Sequence, residues 1–361
     1  MGRPNQARLD LSALRHNLAL VRQLAPRSRV MAVVKANAYG HGAAAIAGAL
    51  DPLVDALAVA SIEEAAELRE AGVTRPILLL EGPFEAGELA TAARLNFWIT
   101  VENETQMAWL ESARLPAPVR CWLKIDTGMH RLGVAPEAAA AYCERIRTCS
   151  ACEDDPVLST HFASADDTGS GQTRQQIDRF EVATDGLPGL RSAANSAGVL
   201  AWPAAHYDWV RPGYMLYGNS PMLHPGAADR KLRPVMTLCS AVISLRHVAR
   251  GETVGYGARW RADRDSLIAT ATVGYGDGYP RLAADGTQVL VNGHRAPLAG
   301  RVSMDMITVD VTDLPAVAIG DPVILWGEGL SVNEVAAGSG TIGYELTTRM
   351  PMRTPRIIAT P

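Results

Sequence analysis

Between residues 29 and 212 the chain repeats one pattern: a short apolar run, often β-branched, followed by a longer stretch rich in Ala, Glu and Leu. The apolar runs fall near 29–35, 55–60, 76–81, 96–100, 118–126, 157–162, 190–195 and 208–212. Runs of this length bounded by turn residues read as buried strands. The stretches between them have helix chemistry, as in 61–71, where Ser61 takes a capping position and Glu63 and Glu64 fall in the first turn. Strands joined by crossovers this long pair in parallel, since a tight turn can only reverse the chain. Eight such units over roughly two hundred residues fit a (β/α)8 TIM barrel. A doubly wound sheet is the alternative, usually with fewer strands. Ahead of the first unit, Asp10 caps a helix carrying Leu11, Leu14, Leu18 and Val21 at helical spacing, and Pro26 ends it.

From about residue 230 the texture changes. Val-, Ile- and Thr-rich segments at 235–246, 267–274, 287–291, 297–302, 306–311 and 322–326 alternate with Gly and Asp turns, the mark of a mostly antiparallel β domain. Ser331-Val332-Asn333-Glu334 has the form of a capping box at the start of a short helix. The polar stretch Pro221–Arg230 reads as the linker, dividing the 361 residues into a barrel at 1–229 and a C-terminal β domain at 230–361.

Composition narrows the function. A net charge of −4 without a basic stripe argues against nucleic acid. No apolar run is long enough to span a membrane, and the first residues lack a signal-peptide core. Five cysteines, an odd number in a large chain, suit a reducing cytoplasm. Cys149 and Cys152 form a C-x-x-C with no second pair, and the histidines lack metal-ligand spacing, so no metal site is expected. Gly338–Gly343 spells G-x-G-x-x-G but follows a helical segment instead of a strand, which makes a dinucleotide site improbable. A small-molecule partner remains.

Lys35 is the residue that stands out. It ends the first apolar run, Ala32-Val33-Val34, and precedes Ala36-Asn37-Ala38-Tyr39-Gly40-His41-Gly42. That puts an amine at the carboxyl end of a core strand, where such folds build their sites and where lysines serve as Schiff-base formers or bases. A lone lysine there more often snorkels to solvent.

The surrounding motifs change that weighting. Lys124-Ile125-Asp126-Thr127-Gly128-Met129-His130-Arg131-Leu132-Gly133, His161-Phe162-Ala163, Asn195-Ser196-Ala197-Gly198, Val210-Arg211-Pro212-Gly213, Val254-Gly255-Tyr256-Gly257, Gly274–Arg281 and Gly300–Asp305 follow in order. With the segment around Lys35, they resemble the alanine racemases along essentially the whole chain. The resemblance implies a pyridoxal 5'-phosphate enzyme that interconverts L-alanine and D-alanine with two acid/base groups. Lys35 would hold the cofactor and act as one base, and Tyr256 would be the other. Arg131 would bind the substrate carboxylate and Met304 would touch the substrate. Tyr39, Ser196, Gly213, Tyr214 and Tyr344 would hold the phosphate. Arg211 would face the pyridine nitrogen with His161 orienting it, Lys124 would be open to carbamylation, and Tyr275 and Tyr344 would gate the site. The family further implies a homodimer in which Tyr256 and Met304 enter the partner's barrel. A decarboxylase of the same fold class, or a protein that carries pyridoxal phosphate without turnover, are the competing readings. A role in supplying D-alanine for peptidoglycan or in alanine breakdown stays open.

Overall fold

The computed structural model describes residues 2–359; Met1, Thr360 and Pro361, the outermost residues of the two halves, lie outside it. The chain opens with β1 (Gln6–Leu9) and the helix Leu11–Leu24, whose Leu14, Leu18 and Val21 are buried. Asp10 caps this helix, its Oδ1 accepting from the backbone N–H groups of Ser12 (2.7 Å) and Ala13 (3.0 Å).

Eight strands then close a barrel: β2 (Arg29–Val33), β3 (Ala56–Val59), β4 (Ile77–Leu79), β5 (Phe97–Val101), β6 (Cys121–Lys124), β7 (Val157–Ser159), β8 (Arg191–Ser192) and β9 (Trp209–Val210). Every neighbouring pair is parallel, and β9 returns to β2 through Arg29↔Trp209 and Val30↔Val210. Alternation along each strand separates two cores. Val30, Ala32 and Leu57 face the surrounding helices, whereas Met31, Val33, Ala58, Leu78, Trp122 and Trp209 fill the barrel interior. The rings of Trp98, Trp122 and Trp209 lie with centroids 5.8–6.3 Å apart, so the interior is packed and ligands are confined to the mouth.

The second domain contains β10 (Met236–Val248), β11 (Thr253–Val254), β12 (Trp260–Arg261), β13 (Ser266–Ala271), β14 (Gln288–Val291), β15 (His294–Pro297), β16 (Ile307–Asp310), β17 (Pro322–Trp326) and β18 (Arg356–Ile358). Its main sheet runs β15-β14-β17-β10-β1-β18, with β13 on β10 and β16 on β13. All contacts are antiparallel except β1 with β18. β1, which the division at 229/230 assigns to the barrel, is therefore hydrogen-bonded into the β domain. Four residues at the N-terminus carry too little pattern to reveal a partner more than two hundred residues away.

Other differences have local causes. The runs read at 157–162, 190–195 and 208–212 are strands only at their starts. Their later residues leave the ladder to build the site, with single bonds such as Thr160 N–H to Ser192 O (3.0 Å) and Arg211 N–H to Ala194 O (2.9 Å) prolonging the contact. The strand read at 297–302 lies at His294–Pro297 instead. Asn292 (φ 51°) and Gly293 (φ 79°) close a two-residue hairpin after β14, as an Asn-Gly pair favours. At 331–334 a side-chain cap forms but the reciprocal capping box does not. Ser331 Oγ accepts from Asn333 N–H (3.2 Å), but the Glu334 carboxylate turns to Arg295. Ser61 occupies the cap position of helix Ile62–Glu70 without a capping side-chain bond.

Candidate active site

Lys35, Lys124, His161, Ser196 and Arg211 all fall at or just beyond the carboxyl ends of barrel strands, on one mouth. Each is placed by a different local device. After β2 the chain enters a turn in which Ala36, Asn37, Ala38 and Tyr39 all have φ of 52–53°, the left-handed region. For residues with a Cβ this costs roughly 1–2 kcal/mol each, and such residues normally adopt it singly. A strained run of this kind persists only where the surroundings enforce it, and such runs gather at functional sites. It carries Lys35 at its start and Tyr39 at its end. Gly40 (φ 80°) then passes so close to the β domain that a Cβ there would lie 1.8 Å from Thr347 O.

The segment after β6 explains its own motif. Asp126 Oδ1 accepts from the N–H groups of Gly128 (3.0 Å), Met129 (3.1 Å) and His130 (3.0 Å), curling the chain so that Arg131 projects beside the mouth. The N–H of Gly133 reaches Glu102 Oε2 (3.0 Å), and a Cβ on Gly133 would lie 2.7 Å from Asp126 N.

After β8 and β9, Ser196 Oγ accepts from Gly213 N–H (2.9 Å) and Met215 N–H (3.2 Å), tying the two loops together. Tyr39 closes the same pocket: a Cβ on Gly213 would meet its hydroxyl at 2.4 Å, so only glycine fits. Tyr214 lies behind, stacked on Tyr344 with centroids 3.6 Å apart, and its hydroxyl donates to Asn333 Oδ1 (2.7 Å). The Tyr214 hydroxyl is thus committed, leaving its main-chain N–H as the group able to serve an anion. Gly343, the third glycine of G-x-G-x-x-G, is needed for this packing, because a Cβ there would lie 2.0 Å from the Tyr214 hydroxyl oxygen.

Charge at the mouth is mainly positive, with Glu102 and Glu81 as opposing carboxylates near Lys124. Arg211 is buried, and its guanidinium donates to Ser192 Oγ (2.5 Å), Thr160 O (2.6 Å) and Ala193 O (3.3 Å), all neutral oxygens. These groups orient Arg211, and the His161 ring lies close enough to feel its charge. Burial pushes Arg211 down to about 10. Burial, then the charges of Arg211, Lys124, Arg131 and Lys35, drive His161 far below the usual histidine value, so it is neutral. Burial first, and Arg211 and Arg131 next, bring Lys124 down to about 8. Lys35, Lys124, Arg131 and Arg211 outnumber the carboxylates Glu102 and Glu81 here, an excess that favours an anionic ligand.

The remaining candidates lie in the β domain. Tyr256 sits in a turn flanked by Gly255 (φ 76°) and Gly257 (φ 73°), braced by the Arg259–Asp285 ion pair (2.8 Å) and by Gly300 N–H to Asp285 Oδ1 (2.9 Å). Tyr275 and Met304 are laced together: Tyr275 N–H donates to Ser303 O (3.0 Å) and Gly276 N–H to Met304 O (2.9 Å). Fully buried Asp277 anchors that pair through Arg3 (2.9 Å) and Arg353 (2.8 Å). Tyr256 is 71% exposed and Met304 52%, both large groups facing outward. Cys121 starts β6, and its Sγ lies 3.4 Å from Cys152 Sγ, which puts the C-x-x-C at the opposite end of the barrel from Lys124.

Known proteins share this fold and much of this sequence. The family described as alanine racemase, N-terminal domain, matches residues 9–221, and alanine racemase, C-terminal domain, matches 235–358. The chain is 52% identical to an alanine racemase of Chromohalobacter salexigens, over 99% of this chain and 98% of that one. It is 51% identical to a biosynthetic alanine racemase of Pseudomonas aeruginosa, over 98% and 99% respectively. The crystal structure of biosynthetic alanine racemase from Pseudomonas aeruginosa superposes with a TM-score of 0.96 at 50% identity, covering 99% of this chain and 100% of that one. Alanine racemase from Acinetobacter baumannii gives 0.92 at 39% identity, with the same coverage. On fold, motif order and sequence alike, the chain belongs to the alanine racemase family.

Proposed function

We propose that the protein interconverts L- and D-alanine with pyridoxal phosphate carried on Lys35, and that two copies of the chain share each site. The observation that carries this reading is the mouth itself. A glycine-only pocket formed by Tyr39, Ser196 and Gly213 lies beside a cluster of cationic side chains in which Arg211 has only neutral oxygens as partners. These residues fit the cofactor: Ser196, Tyr39, Tyr344 and the N–H of Tyr214 suit its phosphate, and Arg211 suits its ring nitrogen. When bound, the cofactor supplies an electron-withdrawing ring that acidifies the hydrogen on the amino acid's α-carbon.

The chain's own groups then decide the outcome. Arg211 keeps its proton and cannot hand one to the ring, so the ring stays a modest electron sink and prompt reprotonation is favoured. This separates the reading from a decarboxylase, in which a carboxylate typically holds that position. Arg131 offers a planar fork to the substrate carboxylate. The Lys35 amine and the Tyr256 hydroxyl would move protons at opposite faces of the α-carbon. Tyr256 faces outward on its own chain, which supports its service, with Met304 and Tyr275, in the barrel mouth of a second copy. Incubation with L-alanine in deuterated water tests the reading. D-alanine should form with deuterium at the α-carbon, and Lys35→Ala should abolish both. Carbon dioxide release instead would identify a decarboxylase, and no reaction would leave a carrier protein.

Lys124 adds a second expectation. An amine lowered to about 8 is substantially neutral in mildly alkaline solution, and the neutral amine is the form that adds to carbon dioxide. Carbamylation forms an N–C bond, releases a proton and converts a cation into an anion able to orient Arg131. Isotopically labelled bicarbonate should therefore give a carbamate carbonyl resonance that grows as pH rises through neutrality and is missing from Lys124→Ala. Equal signals from the two proteins, or none from either, would remove the carbamate.

A further inference from the structure

We propose that Glu64 and Arg356 are positioning residues for Lys35 and Tyr39, clamping the two ends of the left-handed turn that spaces the amine from the phosphate pocket. The inference rests on Lys35 being the residue that carries pyridoxal phosphate.

The turn runs against the intrinsic preference of four consecutive residues, so something outside it must hold it. At its start, Glu64 uses both carboxylate oxygens. Oε1 accepts from Ala36 N–H (2.6 Å) and Oε2 from Ala60 N–H (2.8 Å). One side chain thereby ties the residue after Lys35 to the end of the next barrel strand. At the far end, Arg356 reaches in from β18. Its Nε and Nη2 donate to Gly40 O at 3.0 and 2.9 Å, while its other hydrogens go to Met350 O (2.7 Å), Pro351 O (2.6 Å) and Thr354 O (3.1 Å). All five donors end on main-chain oxygens and none on a carboxylate. That is the work of a planar fork, which the compact ammonium of a lysine cannot reproduce.

The two ends differ in setting. Gly40 O lies against the β domain, where Thr347 O already crowds Gly40, and depends on Arg356 for a partner. Ala36 N–H is near the surface, where Glu64 replaces mobile water with a fixed charged acceptor. The internal bonds of the turn, Ala38 N–H to Val34 O (2.8 Å) and Gly40 N–H to Ala36 O (2.9 Å), set its pitch without fixing its hand or its attachment to the strand. Glu64 and Arg356 supply those two constraints. A lost clamp lets the turn relax towards the right-handed form, changing the Lys35-to-Tyr39 geometry that the cofactor must span.

The test uses the full-length protein and three variants: Glu64→Gln, Arg356→Lys and Arg356→Ala. An amide offers one acceptor where the carboxylate offers two, so Glu64→Gln leaves an N–H facing an NH2 group. Pyridoxal phosphate affinity is measured by equilibrium dialysis, attachment by borohydride trapping and peptide mapping of Lys35, and the pH midpoint of the bound cofactor's visible absorbance by titration. Each variant should bind the cofactor roughly 10- to 100-fold more weakly, the cost range of a lost hydrogen bond to a charged group, with a displaced midpoint. Arg356→Lys should be no better than Arg356→Ala. Lower thermal stability with wild-type affinity and midpoint would make the pair merely structural and overturn the proposal, as would full rescue by lysine. If the Arg356 variants do not fold, the isosteric Glu64→Gln decides alone. A wild-type protein that traps no cofactor on Lys35 would instead sink the proposed function, an outcome distinct from any of these.

Discussion

Tyr256→Phe should lower racemisation by roughly 10²–10⁴-fold, the usual contribution of one acid/base group, while α-hydrogen exchange persists for one alanine enantiomer only. The asymmetry is the informative part. With the hydroxyl gone, the Lys35 amine can still remove and return a proton on its own face of the α-carbon. The enantiomer that presents its hydrogen to that face exchanges with solvent but returns with its configuration unchanged. The other enantiomer has no base to attack it. Because the phenol is exposed and its ring is kept, folding should be affected by no more than about 0.5 kcal/mol, as for ordinary surface changes. Mass spectrometry of each enantiomer recovered from deuterated water gives the answer. Equal exchange of both enantiomers by the variant would mean that some other group serves the second face.

The parts of this arrangement that could be read from sequence are those encoded locally. The barrel strands are legible because parallel strands covered on both faces appear as apolar runs, and all eight occur where those runs lie. Their ends are not legible. Ala193, Ala194 and Pro212 continue the apolar texture while the backbone has already left the ladder to place Ser196 and Arg211. Arg131 is presented by a self-contained device, the Asp126 carboxylate on three following N–H groups, so its motif carries its geometry with it.

What could not be read is whatever depends on distant partners. Glu64 looks like an ordinary first-turn acid, and its pattern with Ser61 suggests a helix cap. Only the fold places Ala36 within its reach. Ser192 and Thr160, which hold Arg211, are unremarkable in sequence because their partner is two strands away in one case and adjacent in the other. Arg356 sits three residues from the last described position and acts on a turn more than three hundred residues earlier. Likewise β1 has no visible preference for β10 until both are folded. The proposed contact between copies would lie further still beyond sequence patterning.

Lys35→Ala and Tyr256→Phe proteins, each nearly inactive alone, should recover racemisation when dissociated together and reassociated. In the proposed twofold dimer each site would take its barrel residues from one copy and its Tyr256 from the other, so residue roles would be exchanged across the axis. A mixed dimer then contains one site with both native groups, the Lys35 of one variant and the Tyr256 of the other, and one site with neither. Random reassociation of equal amounts makes half the dimers mixed, each with one working site of two, and activity should approach about a quarter of wild type for a twofold assembly. Sites contained within single chains would behave differently: each variant would stay defective in every combination, and mixing would give only the average of the two residual rates. The outward-facing Tyr256 and Met304 favour recovery. Mixing without prior dissociation serves as the control, since recovery should then appear only as fast as subunits exchange. If mixtures show no gain after complete exchange, verified by mass of the mixed dimer, the second base belongs to the same chain as the first.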